Sequence, residues 1–142
     1  EFVQQEAVTK GHRVKEAMLT NLSVLRPDDT VARVIELLLS GTEKDFVVAD
    51  KDEIHGVLYQ KDIIDHVKDG GTPVKDIMDV SFKSISQNAN LSDVLKLINV
   101  KRKNFFPVLD EGKLVGAIDL TNLSEFILIQ SQLMKNEKSW NQ

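Results

Sequence analysis

Val14-Lys15-Glu16-Ala17-Met18 returns, sixty residues on, as Val74-Lys75-Asp76-Ile77-Met78. From there the register holds without a gap as far as Ile64 and Ser124. Val34 and Leu37 meet Val94 and Leu97; Phe46, Val48 and Asp50 meet Phe106, Val108 and Asp110; Gly56 meets Gly116. Elsewhere apolar meets apolar, as in Val31 with Leu91, Ile35 with Leu95, Leu38 with Ile98, Leu58 with Ile118 and Ile63 with Leu123. A period of this length marks a supersecondary unit copied and packed against its copy. The expected function is one that uses two related half-sites.

At 142 residues the chain amounts to one compact domain. Each copy alone sits near the size where apolar burial is marginal, so one pseudo-symmetric module is expected, not two independent beads. The composition, 42% hydrophobic with mixed charges, is that of a soluble globular protein. A net charge of −4 argues against nucleic acid, which selects a net basic face. The basic cluster Lys101-Arg102-Lys103 reads as the solvated end of a helix. The absence of cysteine excludes thiolate metal sites, disulfides and thiol nucleophiles, and fits a reducing compartment. No apolar run approaches the roughly 18 residues of a membrane span, so no direct membrane insertion is expected. Phe126-Ile127-Leu128-Ile129 is far too short. A start at Glu1, with neither methionine nor signal peptide, suggests a piece of a longer chain.

Each copy reads in the same order. Leu22–Leu25 is an expected strand closed by Arg26-Pro27, and Asp28-Asp29-Thr30 offers helix N-caps. Val31, Val34, Ile35 and Leu38 then form one buried helical stripe, ended by Gly41 in an expected left-handed C′ position. Phe46–Ala49 and Ile54–Tyr59 form a hairpin turned at Asp50-Lys51-Asp52-Glu53, followed by a helix from Gln60 to about Lys68. In the second copy Phe82–Ile85 is a strand and Asn90 caps a helix. Phe106–Leu109 and Leu114–Ile118 pair across Asp110-Glu111-Gly112-Lys113, and a last helix runs from Leu120 to about Met134. The expected fold class is α+β: two pseudo-symmetric β-α-β-β-α repeats packed through their sheets with helices outside. Residues 1–13 form a lead-in, 14–70 the first repeat, 71–134 the second and 135–142 a polar tail, in which Trp140 is expected to be disordered or a dimer contact. Gly70-Gly71-Thr72-Pro73 is the joint.

This order resembles the CBS domain, named after cystathionine β-synthase, which occurs in tandem pairs. The residues that carry the resemblance are the Val-x-x-x-Met entries (Val14/Met18 and Val74/Met78) and Phe106-Pro107-Val108-Leu109-Asp110. The hairpin strands Ile54–Gly56 and Leu114–Gly116 complete it. The lead-in Phe2-Val3-Gln4-Gln5-Glu6-Ala7 and the stretch Phe126–Ser131 further resemble the CBS pair attached to site-2-type intramembrane zinc metalloproteases. The His-Glu-x-x-His site of such a protease is not in this chain, whose histidines are His12, His55 and His66. No nucleophile–base pair, paired catalytic carboxylates or phosphate-binding glycine loop is visible either. The chain reads as no enzyme, with no catalytic or metal residue and no required cofactor.

The resemblance implies an adenosine ligand (AMP, ADP, ATP or adenosine) held by a Gly-h-x-Thr/Ser-x-x-Asp window. In that window the aspartate takes ribose hydroxyls, and the hydroxyl residue and helix N-terminus take phosphate. The first window is Gly56-Val57-Leu58-Tyr59-Gln60-Lys61-Asp62, in which Asp62 is the ribose candidate, Tyr59 replaces the hydroxyl residue and Lys61 supplies a cation. The second is Gly116-Ala117-Ile118-Asp119-Leu120-Thr121-Asn122. There Asn122 replaces the aspartate, Thr121 precedes it, and Asp119 would repel phosphate or serve as a helix N-cap. Lys44, ahead of the Phe46 strand, is a further phosphate candidate, and His66 could approach a phosphate. AMP or adenosine is expected over ATP, once per chain. The implied partners are a second copy, through the surplus apolar residues of the last helix, and an attached catalytic or membrane domain. The implied location is cytoplasmic, on that side of a membrane-anchored parent. The alternative is a ligand-free dimerisation module with vestigial pockets.

Overall fold

The computed structural model describes residues 7–101 and 103–140. Phe2–Glu6 of the lead-in and Arg102 of the basic cluster lie outside the described residues, as does the end of the tail. The fold is α+β and divides into two compact units. Unit 1 comprises the described residues up to Thr20, Ser84–Glu111 and those from Val115 on; unit 2 comprises Asn21–Lys83 and Gly112–Leu114.

In unit 2, helix α1 (Val31–Ser40) begins at Thr30, whose hydroxyl accepts from the Arg33 N–H at 3.3 Å. Strands β1 (Phe46–Asp50) and β2 (Glu53–Leu58) pair antiparallel from Phe46↔Leu58 to Asp50↔Glu53, with a bulge between Val48 and Ala49. The two-residue turn holds Lys51 and Asp52 at φ of 51° and 69°, the doubly positive geometry that matches strand twist. Helix α2 (Gln60–Asp65) follows. Leu25, Val34, Phe46, Val48, Leu58, Ile63 and Val74 make the core.

In unit 1, strand β3 (Ile85–Ser86) runs parallel to β4 (Phe105–Asp110), which neighbours β5 (Lys113–Asp119). The β4–β5 turn places Gly112 at φ 82°, where glycine costs least. Helices α3 (Leu91–Lys101) and α4 (Leu120–Trp140) complete the unit. Asn90 caps α3 by accepting from the Ser92 N–H at 3.0 Å. The core is built on Val14, Leu91, Val94, Phe106, Val108, Ile118 and Leu123, and Val8 of the lead-in joins it. His12 meets Phe126 of α4 edge-on, ring centroids 5.1 Å apart.

The entry segments cross over. Val14–Met18, at the start of the first copy, packs in unit 1 with the second copy's strands. Its Val14 and Lys15 N–H groups donate to the Ala89 and Gln87 carbonyls, both at 2.9 Å. Val74–Met78 does the same in unit 2: Val74 donates to Asp29 at 2.8 Å and Lys75 to Pro27 at 3.1 Å. Leu19 bridges Ala117 in one unit as Asp79 bridges Val57 in the other. Every partner is shifted by the same sixty positions. The repeat is thus written into backbone hydrogen bonds as well as into side chains.

Several expectations change. Leu22–Leu25 contributes a single parallel bridge, Leu25↔Val48, and Phe82–Ile85 becomes Ile85–Ser86. A strand carrying one partner on one side needs few ladder bonds. Gly41 is extended (φ −126°, ψ −166°), not left-handed. Its N–H bonds Leu37, and a Cβ there would sit 3.3 Å from the Leu37 carbonyl, so space and not handedness favours glycine. Helix α2 stops at Asp65, and α4 continues past Met134 to Trp140.

Candidate functional site

The two windows lie in different units. In unit 2, Gly56 is buried in β2 because the entry segment of the second copy lies against it. An added Cβ would meet the Met78 side chain at 2.7 Å and the Asp79 carbonyl at 3.0 Å. Gly116 has the same role in unit 1, where a Cβ would run into the Leu19 carbonyl and lie 3.1 Å from Met18 Sδ. Both glycines serve close packing under a methionine. This explains the Val-x-x-x-Met entries: valine is the buried anchor (Val14 and Val74 fully buried) and methionine, with its flexible thioether, covers the glycine.

Tyr59 precedes α2 in extended conformation and gives no side-chain cap. Its place at the helix start is taken by Asp45, whose Oδ1 accepts from the Gln60 N–H at 3.0 Å. The Tyr59 phenol is pushed up to about 12, first by burial and then by the Asp79 and Asp45 carboxylates, a hydrogen bond with Asp79, and Asp62. Three carboxylates therefore face one phenol. Asp79 was not a sequence candidate; the signal available was its place directly after the second entry methionine.

Asp62 lies in the first turn of α2, partly exposed, and its carboxylate makes no hydrogen bond or ion pair among the described residues. Its backbone carbonyl accepts from His66 Nδ1 at 2.8 Å, which fixes the imidazole proton on that nitrogen and holds the ring along the helix. Lys61 is exposed. Lys44 is also exposed and lies elsewhere: it borders a hollow of about 570 Å³ between α1 and α2. Gln60, Ile63 and Ile64 line that hollow, whereas Tyr59, Lys61 and Asp62 do not. The structure brings Gly56, Tyr59, Lys61 and Asp62 into one strand-to-helix corner and sets Lys44 apart.

In unit 1 the window is closed by its own hydrogen bonds. Asp119 caps α4, its Oδ1 accepting from the Asn122 N–H at 2.7 Å, while Asn122 Oδ1 accepts from the Asp119 N–H at 2.7 Å. This is a capping box built from Asp and Asn. The Asn122 amide also donates to the Ala17 carbonyl of the entry segment. Thr121 is exposed. Asn122 is therefore spent on the fold, where Asp62 is not.

Among the described residues no group of three or more His, Asp or Glu is placed to hold a metal ion, and no helix is long and apolar enough to cross a membrane.

The chain is 26% identical over 115 residues to the CBS domain-containing protein YhcV of Bacillus subtilis, covering 78% of this chain and 82% of that one. It is 26% identical over 125 residues to the inosine-5'-monophosphate dehydrogenase of Methanocaldococcus jannaschii. That match covers 84% of this chain but only 24% of the dehydrogenase. Among solved structures, CBSX2 in complex with AMP superimposes with a TM-score of 0.75 at 27% identity, over 83% of this chain and 97% of that one. The CBS domain family matches twice, at residues 14–69 and 74–129. These two matches account for both copies, and the protein belongs to the CBS-domain family, with two CBS domains in tandem.

Proposed function

We propose that this CBS pair senses an adenosine-type ligand at Asp62 and, as a homodimer, passes the resulting change to an attached catalytic or membrane domain. CBS pairs are regulatory and not catalytic modules. The single observation that carries the reading is the contrast at one position of the repeat. Asn122 is consumed by a capping box and a bond to Ala17, while the Asp62 carboxylate keeps its acceptors for a ligand. A carboxylate there can take two ribose hydroxyls. The AMP complex of CBSX2 supports the ligand class, and the dehydrogenase match supports a module within a larger protein.

Asp45 and Asp79 beside Tyr59 weigh against a highly charged phosphate chain, so AMP or adenosine is the ligand proposed over ADP or ATP. A ligand shifts the module only by binding one arrangement better than another. The parent is proposed to be a site-2-type protease with this module on the cytoplasmic side, a reading that rests on the flanking stretches Phe2–Ala7 and Phe126–Ser131. Exposed Leu128, Ile129 and Leu133 of α4 support self-association.

Titration calorimetry with AMP, ADP, ATP and adenosine tests the ligand. Micromolar heat with AMP or adenosine, abolished by Asp62→Ala, is expected; no heat from a folded protein would defeat the sensing role. The assembly-module reading then follows, and the closed Asp119–Asn122 window favours it.

A further inference from the structure

The two copies differ in what they expose at matching positions. In unit 1, Leu95, Ile98 and Ile127 are buried, while Asn99 and Ser124 beside them are exposed and polar, as contact with water favours. Sixty positions earlier unit 2 has Ile35, Leu38 and Val67, with Leu39 and Ile64 beside them. All five line the hollow of about 570 Å³ between α1 and α2. Leu39 is 81% exposed and Ile64 53%. The lining is therefore not simply inherited from the repeat. Leu39 and Ile64 are apolar only in the copy whose helices border this hollow.

The rim differs in the same way. Lys44 stands where unit 1 has Asn104, and Gln60 where it has Leu120. Among the described residues the Lys44 ammonium makes no ion pair and the Gln60 side chain no hydrogen bond. The neighbouring anion is already engaged: the Glu43 carboxylate accepts from the Ser23 N–H at 3.1 and 3.3 Å. One cation and one amide thus stand beside an apolar floor. A volume of this order, apolar with a few placed polar groups, is that of a small-molecule site. The lining takes in α1 only from Ile35 onward, too short a run for a helix anchored along a groove. We propose that the hollow binds an aliphatic carboxylate of medium chain length, its chain against Leu38, Leu39 and Ile64 and its head on Lys44. Charge complementarity selects the head: a carboxylate accepts from Lys44 and Gln60, whereas a cationic head would face Lys44 with only the engaged Glu43 to receive it. The site is separate from the corner that holds Asp62, which does not line the hollow.

Decanoate and decyltrimethylammonium, each below its micelle concentration, are titrated calorimetrically into the protein while light scattering follows its mass. One decanoate per chain is the expected result, with decyltrimethylammonium bound more weakly. Lys44→Asn, which installs the residue of the other copy, should weaken decanoate about three- to fivefold. Leu39→Asn combined with Ile64→Ser does the same for the lining; both positions are exposed, so the core is left intact, and decanoate should weaken about tenfold or more. No decanoate heat, or heat that the double variant retains in full, overturns the site. Equal binding of the two amphiphiles, or no effect of Lys44→Asn, overturns the carboxylate assignment. A dimer that the double variant dissociates would mean that a second copy fills the hollow, and overturns the inference as well.

Discussion

Unit 1 and unit 2 share a backbone frame and differ at their helix starts and helix faces. The frame repeats bond for bond: Val14 to Ala89 as Val74 to Asp29, Leu19 with Ala117 as Asp79 with Val57. The α4 start is sealed by Asp119 and Asn122, while the α2 start leans on Asp45 and leaves Asp62 unspent. Backbone bonds depend weakly on side-chain identity, so the frame survives divergence of the copies. Caps and surface stripes depend on single side chains, and there the copies have separated: Asn122 is bonded into the fold, whereas the Asp62 carboxylate is not.

The sharpest way to break this comparison is through the two packed glycines. Gly116→Ala pushes a Cβ into the Leu19 carbonyl, which cannot rotate away, whereas Gly56→Ala meets chiefly the flexible Met78. Denaturant unfolding should show a loss of about 3 kcal/mol or more for Gly116→Ala and about 1–2 for Gly56→Ala. Equal losses would show the frames to be equally rigid. Next comes the pair at the helix starts. Asn122→Ala should cost about 1–2 kcal/mol, since a cap and a bond to Ala17 are lost together. Asp62→Ala should stay within about 0.5 kcal/mol and abolish ligand heat. A large stability loss for Asp62→Ala would erase the distinction between the halves.

The smallest effect concerns Tyr59, the chain's one tyrosine, so phenolate absorbance reports it alone. The midpoint should fall near 12 in the folded protein and drop toward 10 in Asp79→Asn. Because the folded state holds the proton more tightly, its stabilising contribution is complete below pH 10 and is lost as pH rises from 10 toward 12. After discounting for partial exposure the loss is on the order of 1 kcal/mol, and Tyr59→Phe should remove it.

The hairpins and the Thr30 and Asn90 caps were legible in the sequence because each is set by neighbours within a few residues; the expected stripe is buried throughout on α3, at Leu91, Val94, Leu95 and Ile98, but only at Val31 and Val34 on α1. The repeat disclosed the two copies, at 14–69 and 74–129. It could not disclose the crossover, because the bonds from Val14 and Lys15 to Ala89 and Gln87 join residues far apart in the chain. For the same reason the window motif located Asp62 and Asp119 but missed Asp79, which reaches Tyr59 only through the entry segment. Gly41 misled because a helix-ending glycine usually signals handedness, whereas here it clears the Leu37 carbonyl.

The crossed entry segments also fix where the chain enters and leaves the pair. Chain leaving before Val14 and chain leaving after α4 both depart from unit 1, and apart from Gly112–Leu114 unit 2 is one continuous excursion between Thr20 and Ser84. Unit 2 is therefore wired as a side branch: any domain covalently joined at either end of the pair is attached to the sealed half.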